Sequence, residues 1–146
     1  MFESVLVVCT GNICRSPMAE ALLAERGRER NLRVASAGTA ALIGYPPPAP
    51  AIELMAERGL DISTHRARQL TDALALKYDL LLVMEQAQQR WIESQWPLLK
   101  GRVYRLGGGG SEEVPDPYGQ AREVFAGCLR QINSGVEAWA KRLMQG

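Results

Sequence analysis

The chain's architecture can be predicted from one segment near its start, Ser4-Val5-Leu6-Val7-Val8-Cys9-Thr10-Gly11-Asn12-Ile13-Cys14-Arg15-Ser16-Pro17. The apolar, largely β-branched run that ends at Cys9 is typical of a buried strand. The Gly-Asn pair that follows predicts a tight loop. Ser16 and Pro17 then predict a helix start, with Ser16 as N-cap and Pro17 as the first helical residue. The segment therefore predicts a strand, a loop and a helix in succession.

The rest of the chain continues this alternation. Further strands are expected at residues 32–37, 80–84 and 102–106, and further helices at residues 49–58, 86–95 and 120–144. The glycine run at residues 107–110 predicts a flexible loop. Strands that alternate with helices form parallel sheets covered on both faces. We therefore predict an α/β protein with a single-domain, three-layer fold, in which a four-stranded parallel sheet is flanked by helices on both faces.

Composition excludes several classes of function. The chain has 146 residues, of which 47% are hydrophobic, enough for one core. Its 17 Lys and Arg and 16 Asp and Glu leave a net charge of +1, so we expect no nucleic-acid partner and no attraction to an anionic membrane. No apolar run predicts a signal peptide or a membrane insertion. Three cysteines do not make a disulfide framework, so we expect free thiols and a cytoplasmic location.

The loop after the first strand carries the chemistry. A thiol and a guanidinium stand at its two ends, Cys9 and Arg15, just before a helix N-terminus. Gly11 and Asn12 tolerate the positive φ angles that turn backbone N–H groups inward, and the helix dipole adds positive potential. Arg15 can hold two oxygens of an anion in a fork. The predicted phosphate-binding loop consists of Thr10, Gly11, Asn12, Ile13, Cys14, Arg15 and Ser16.

The same positive potential favours the thiolate of Cys9 over its thiol. A thiolate at the base of a phosphate site is a nucleophile aimed at phosphorus, and Ser16 could donate a hydrogen bond to it when it leaves. A nucleotide-binding P-loop is excluded because it needs a lysine, and this chain has none before Lys77. The alternative is a structural loop with two buried cysteines. The strand, the Gly-Asn pair and the helix start, all in register, favour the functional interpretation.

This loop closely resembles the active-site signature of the low molecular weight protein tyrosine phosphatases. Three later stretches resemble landmarks of that family in the same order: Ser36-Ala37-Gly38-Thr39, His65-Arg66-Ala67-Arg68-Gln69 and Pro115-Asp116-Pro117-Tyr118. The resemblance covers nearly the whole chain, so residues 1–146 are interpreted as one domain of this type. It implies a protein tyrosine phosphatase without a cofactor, which forms a phosphocysteine on Cys9 and uses Arg15 as phosphate clamp.

Asp116 is the candidate general acid. Cleavage of a tyrosine phosphate ester expels a phenolate, and a proton donor accelerates such a step by roughly 10² to 10⁴. The resemblance implies that Asp116 supplies this proton and later acts as base towards water; the alternative is an ordinary Asp-Pro turn. Because Asp116 must be protonated while Cys9 is ionised, we expect the highest activity on the acidic side of neutrality.

The resemblance also implies supporting roles. Leu42 and Tyr118 would form walls beside the substrate ring, and His65 would brace the loop by bonding to Asn12 or Ser36.

In the same family the second thiol of the loop, Cys14, can trap an oxidised nucleophile as a disulfide. The thiols and the single histidine lack the paired short spacings of a zinc site, so we predict no metal.

Three other functions are weighed against this interpretation. A thioredoxin-linked arsenate reductase of the same fold would need a further pair of cysteines, and residues 61–106 contain none. Arginine phosphatases with a similar loop carry Thr where this chain has Ile13, and an apolar Ile13 better suits an aromatic ring. A non-enzymatic phosphotyrosine-binding module would need neither the thiol nor the acid.

Residues 36–48 resemble bacterial members of the family that are associated with exopolysaccharide or capsule production. This implies a tyrosine-phosphorylated protein as partner, and specifically a membrane tyrosine kinase with a tyrosine-rich tail.

Overall fold

Four parallel strands form the centre of the molecule. The computed structural model describes residues 2–145, and its strands are β1 (Ser4–Cys9), β2 (Arg33–Gly38), β3 (Leu80–Val83) and β4 (Val103–Arg105). Their order in the sheet is β2-β1-β3-β4. β1 is central, and its last residue, Cys9, lies opposite Gly38 of β2. The carboxyl ends of all four strands therefore meet at one edge of the sheet.

Helices connect the strands and cover both faces of the sheet. They are α1 (Arg15–Arg26), α2 (Ala49–Ala56), α3 (Asp72–Lys77), α4 (Gln86–Gln95) and α5 (Arg122–Met144), with short 3₁₀ turns at Arg28–Arg30, Pro97–Leu99 and Gly107–Gly109. Val5 and Val7 of β1 pack in one core with side chains of α1, α2 and α5. Leu6 and Val8 pack in a second core with Ala75 of α3 and other residues on the opposite face. The predicted three-layer α/β fold with a four-stranded parallel sheet is confirmed.

The predicted start of the first helix is wrong by two residues. The helix begins at Arg15, with Cys14 as its N-cap residue, and Ser16 lies inside the first turn. Ser16 does not cap the helix because its hydroxyl is bonded to the side chains of Cys9 and Asn12. Pro17 still lies in the first turn, where its missing N–H leaves no acceptor unpaired.

The glycine run was predicted to be a flexible loop, and this is also wrong. Gly107 and Gly109 are buried in a 3₁₀ turn that packs against α5. Gly108, Gly109 and Gly110 have φ angles of 59°, 72° and 119°, a region that disfavours other residues. The glycines therefore allow a compact turn, which leads into the segment that carries Asp116.

The other differences from the predicted elements are small. The six-residue helix α3 was not predicted, although Thr71 caps it by accepting a hydrogen bond from the Leu74 N–H. The remaining strand and helix ends agree with the predicted ones within two residues, which is the usual scatter at element boundaries. No helix among residues 2–145 combines the length and the apolar character needed to cross a membrane.

Two glycines of α5 provide a test of how closely the glycine-rich turn packs. A Cβ at Gly135 would lie 2.5 Å from the backbone oxygen of Leu106, whereas the nearest atom to a Cβ at Gly127 is Arg130 Nη2, at 3.6 Å. We expect Gly135→Ala to lower the free energy of unfolding by about 1–3 kcal/mol. Gly127→Ala should raise it by about 0.5–1 kcal/mol, because alanine is the better helix former. Urea unfolding of both variants measures this, and equal changes of the same sign would contradict the close approach.

Candidate active site

A pocket of about 190 Å³ opens at the carboxyl end of β1. Its base is formed by the loop between β1 and α1, including Cys9 and Arg15, and its rim by Ala40, Leu42, Asp116 and Tyr118. The structure therefore brings together the three predicted catalytic residues and both predicted wall residues. Of the predicted phosphate loop, Asn12 and Ser16 do not line the pocket. They are fully buried behind it.

The sulfur of Cys9 lies where two hydrogen bonds converge. The backbone N–H of Asn12 donates to Cys9 Sγ at 3.2 Å, and Ser16 Oγ lies 2.9 Å from the same sulfur. Ser16 Oγ also accepts a hydrogen bond from Asn12 Nδ2 at 2.8 Å, so its own proton is free to point at the sulfur. The sulfur can therefore accept two hydrogen bonds from its own loop and helix start.

The loop also presents unoccupied donors. Asn12 has a φ angle of 59°, the left-handed conformation that turns neighbouring amides inward. In the described chain, the backbone N–H groups of Gly11, Ile13 and Cys14 donate to no protein acceptor. All three residues line the pocket. Their N–H groups are therefore available to a bound anion.

Arg15 is almost fully buried, with 2% of its surface exposed. Its Nη1 forms an ion pair with the carboxylate of Glu85 and donates to the backbone oxygen of Val114 at 2.9 Å. Burial alone would lower the pKa of Arg15, but the negative groups near it, Cys9 first, outweigh burial and raise that pKa. Its Nε is buried and has no partner among residues 2–145. Because Arg15 lines the pocket, this donor can serve an anion bound there.

A network of side chains holds Asn12 in its unusual conformation. Asn12 Oδ1 accepts from the backbone N–H of Arg68 at 2.9 Å, which orients Nδ2 towards Ser16 and towards Ser36 Oγ, 3.0 Å away. Ser36 Oγ in turn donates a hydrogen bond to Glu20 Oε1 at 2.6 Å. His65 Nε2 donates to the backbone oxygen of Asn12 at 2.8 Å. Of the two partners expected for His65, Asn12 and Ser36, the hydrogen bond is therefore to Asn12.

Asp116 lies on the rim, with 49% of its side chain exposed. Its Oδ2 is 3.9 Å from Arg15 Nη2, and its Oδ1 accepts from the backbone N–H of Tyr118 at 3.1 Å. The segment before it is held in place, because Val114 N donates to the Met84 oxygen at 2.9 Å. The carboxyl group therefore lies on the rim of the pocket that Cys9 also lines.

The walls of the pocket are apolar and partly exposed. Leu42 is 38% exposed and Tyr118 56% exposed, on segments that reach the rim from different parts of the chain. The backbone N–H of Leu42 donates to the oxygen of Gly11 at 3.1 Å, which ties this wall to the loop. A planar ring fits between such side chains better than a flexible charged group.

Sequence reasoning missed the residues that support the loop from other elements. Glu85 and Gln88 stand at the end of β3 and the start of α4, and Glu20 and Arg68 lie behind Asn12. Glu85 could have been found, since polar residues that follow neighbouring parallel strands meet at one edge of the sheet. Arg68 lies in one of the stretches that resemble the family, but nothing in the sequence indicates that Arg68 or Glu20 supports the loop.

The structure contains three free thiols, all buried: Cys9, Cys14 and Cys128. Burial raises the pKa of Cys14 to about 12, and that of Cys128 to about 12. Cys14 Sγ lies 3.9 Å from Asp116 Oδ1. Among residues 2–145, no group of three or more His, Cys, Asp or Glu side chains is arranged to hold a metal ion.

Comparison with known proteins covers the whole length of the chain. The family model described as "Low molecular weight phosphotyrosine protein phosphatase" matches residues 4–146. The "Probable low molecular weight protein-tyrosine-phosphatase EpsP" of Ralstonia nicotianae is 48% identical over 143 residues, which span 98% of this chain and 97% of EpsP. The structure of Vibrio vulnificus Wzb in complex with benzylphosphonate matches with a TM-score of 0.91 and 41% identity, covering 97% of this chain and 99% of that one.

A more distant match bears on one of the alternatives. The YwlE arginine phosphatase from Geobacillus stearothermophilus has a TM-score of 0.90 with 30% identity, covering 97% of this chain and 93% of that one. The fold alone therefore does not distinguish a tyrosine phosphatase from an arginine phosphatase.

The raised pKa values of two thiols predict selective alkylation. With a pKa of about 12, Cys14 and Cys128 remain protonated and unreactive between about pH 6 and 9. Iodoacetate should therefore label Cys9 alone, and inorganic phosphate should slow the labelling by competing for the same pocket. Tandem mass spectrometry separates Cys9 from Cys14 within one tryptic peptide. Labelling of Cys14 at a rate equal to that of Cys9 would contradict the prediction.

Proposed function

The chain belongs to the low molecular weight phosphotyrosine protein phosphatase family and is a protein-tyrosine phosphatase, and we propose that it works through a phosphocysteine formed on Cys9. The observation that carries this proposal is the set of unoccupied donors around one sulfur. The N–H groups of Gly11, Ile13 and Cys14 and the buried Nε of Arg15 surround a pocket whose base is Cys9. Such a set matches the non-bridging oxygens of a phosphoryl group.

The first step transfers the phosphoryl group to sulfur. Cys9 Sγ attacks phosphorus in line with the leaving oxygen, so the S–P bond forms as the P–O bond to the tyrosine ring breaks. Arg15 and the loop amides stabilise the charge on the three equatorial oxygens. Asp116 gives its proton to the departing phenolate, which leaves as the neutral phenol.

The second step returns the enzyme to its starting state. Asp116, now ionised, accepts a proton from a water molecule while that water attacks phosphorus. The S–P bond breaks, inorganic phosphate leaves and the electron pair returns to Cys9 as a thiolate. The proton of Ser16, aimed at the sulfur, stabilises that thiolate as leaving group.

The walls of the pocket favour an aromatic substrate. Leu42 and Tyr118 can enclose a ring, and Ile13 adds an apolar surface at the base. The match to Wzb in complex with benzylphosphonate, which joins an aromatic ring to a phosphonate, supports this choice. The match to an arginine phosphatase is at lower identity, which leaves phosphoarginine as the second candidate substrate.

We further propose a natural substrate of one kind: the phosphotyrosines of a bacterial membrane tyrosine kinase that serves polysaccharide export. The resemblance of residues 36–48 to family members with that association supports this assignment. Three free thiols fit a reducing cytoplasm, where the tail of such a kinase is accessible.

The variant Asp116→Asn tests both the role of Asp116 as general acid and the pH dependence of kcat/KM. With phenyl phosphate and a phosphotyrosine peptide from a kinase tail, we expect kcat/KM to fall by roughly 10² to 10⁴ because the phenolate then leaves unprotonated. We expect the wild-type kcat/KM to be highest on the acidic side of neutrality, because the reaction needs a proton donor beside a thiolate, and the variant should lose this preference.

Cys9→Ser is the control and should show no measurable turnover. Wild-type-like hydrolysis by Cys9→Ser would contradict the mechanism. An unchanged kcat/KM in Asp116→Asn would contradict only the role of Asp116 as general acid. A higher kcat/KM of the wild type for a phosphoarginine peptide than for the phosphotyrosine peptide would favour the second candidate.

A further inference from the structure

Gln88 is a buried amide at the junction of three parts of the site. It lies in the first turn of α4, with 5% of its surface exposed. Its Oε1 accepts from the backbone N–H groups of Met84 and Glu85, both at 2.9 Å. Its Nε2 donates to Thr10 Oγ1 at 3.0 Å. One side chain therefore contacts both the end of β3 and the loop that holds the nucleophile.

The first contact fixes the partner of Arg15. Glu85 is the N-cap residue of α4, and the Gln88 side chain accepts from its backbone N–H, as the third helical residue does in a capping box; the Gln88 N–H in turn donates to the Glu85 backbone oxygen at 3.1 Å. The same Glu85 carboxylate forms the ion pair with Arg15. By holding the backbone of Glu85, Gln88 sets the position from which this carboxylate reaches the guanidinium.

The second contact fixes the first residue after the nucleophile. Thr10 follows Cys9 directly, and its backbone oxygen accepts from Ala40 N at 3.0 Å. The hydrogen bond from Gln88 holds its side chain from the other direction. Thr10 is thereby fixed on two sides, and with it the path of the loop that carries the free amides.

Helix capping alone does not explain a glutamine at this position. A glutamate would supply the same acceptor to the two N–H groups and could accept from the Thr10 hydroxyl, but it would place a second negative charge beside Glu85 in a buried position. A methionine would fill the same space, but it would leave two buried N–H groups without an acceptor. The amide bonds to both sides without adding a charge.

We propose that Gln88 is a positioning residue, which holds Thr10 and Glu85, and through them the anion-binding loop and Arg15, in the geometry that binds phosphate. This inference rests on the proposed function only in that phosphate is the anion bound.

The experiment compares Gln88→Met with Gln89→Met, its neighbour on the same helix. Gln89 donates to the backbone oxygen of Val103 in β4, so its loss weakens the fold without touching the site. Calorimetric titration with inorganic phosphate measures binding without turnover, and thermal unfolding measures stability. We expect Gln88→Met to weaken phosphate binding about 10-fold, and Gln89→Met to change it less than about 2-fold with a comparable loss of stability.

A double-mutant cycle with Thr10→Val isolates the contact to the loop. If Gln88 acts through Thr10, the loss of phosphate affinity in the double variant should be smaller than the product of the losses in the two single variants, by about 3-fold or more. Independent effects that simply multiply would overturn the route through Thr10.

Two further outcomes are decisive. If Gln88→Met is destabilised like Gln89→Met but binds phosphate as the wild type does, Gln88 is only structural and the inference is overturned. If Gln88→Met does not fold, Thr10→Ser and Thr10→Val are compared instead. Thr10→Ser keeps the hydroxyl acceptor and should bind phosphate as the wild type does, whereas Thr10→Val should bind it more weakly. Equal phosphate affinities of the two variants would overturn the inference. Hydrolysis of an aryl phosphate by the wild type, measured in parallel, tests the proposed function separately.

Discussion

The buried guanidinium of Arg15 is the group around which the site is arranged. A charge removed from water is costly unless it is paired, by several kcal/mol in proteins. Arg15 meets this demand with Glu85 from the end of β3 and with the Val114 oxygen from the segment before Asp116. These contacts join the start of α1 to two other elements. They leave Nε without a partner among residues 2–145, and this donor is the one we propose for the phosphoryl group.

A second constraint is the left-handed conformation of Asn12. It costs free energy in isolation, and it persists because Arg68, Ser36 and His65 hold both the side chain and the carbonyl of Asn12. The same network directs the Ser16 proton to Cys9 Sγ. The hydrogen bonds that support the loop therefore also position the group that bonds to the nucleophile. A substitution among the supporting residues is expected to alter the hydrogen bonding of the Cys9 sulfur.

Local patterns in the sequence were sufficient to predict the strand, loop and helix that carry Cys9 and Arg15, because each of them depends on neighbouring residues. Asp116 needed the family resemblance, since an Asp between prolines is also an ordinary turn. The supporting roles of Glu85, Gln88, Glu20 and Arg68 were missed because their partners are distant in sequence and meet only once the sheet has formed. The glycine run was misjudged for a related reason: its packing depends on Gly135 in α5, which composition does not reveal. Serine is a favoured N-cap residue, but Ser16 does not cap α1 because its hydroxyl is bonded to the Cys9 sulfur.

The proposed reaction requires that the phosphoryl group pass through the sulfur of Cys9. A phosphotyrosine peptide is mixed with the protein, the reaction is stopped within milliseconds under alkaline denaturing conditions that preserve an S–P bond, and the digest is sequenced by mass spectrometry. We expect a phosphate on Cys9 and on no other residue, formed at a rate that is at least that of turnover. Steady release of phosphate without any modified Cys9, or a phosphate found on a different side chain, would contradict it.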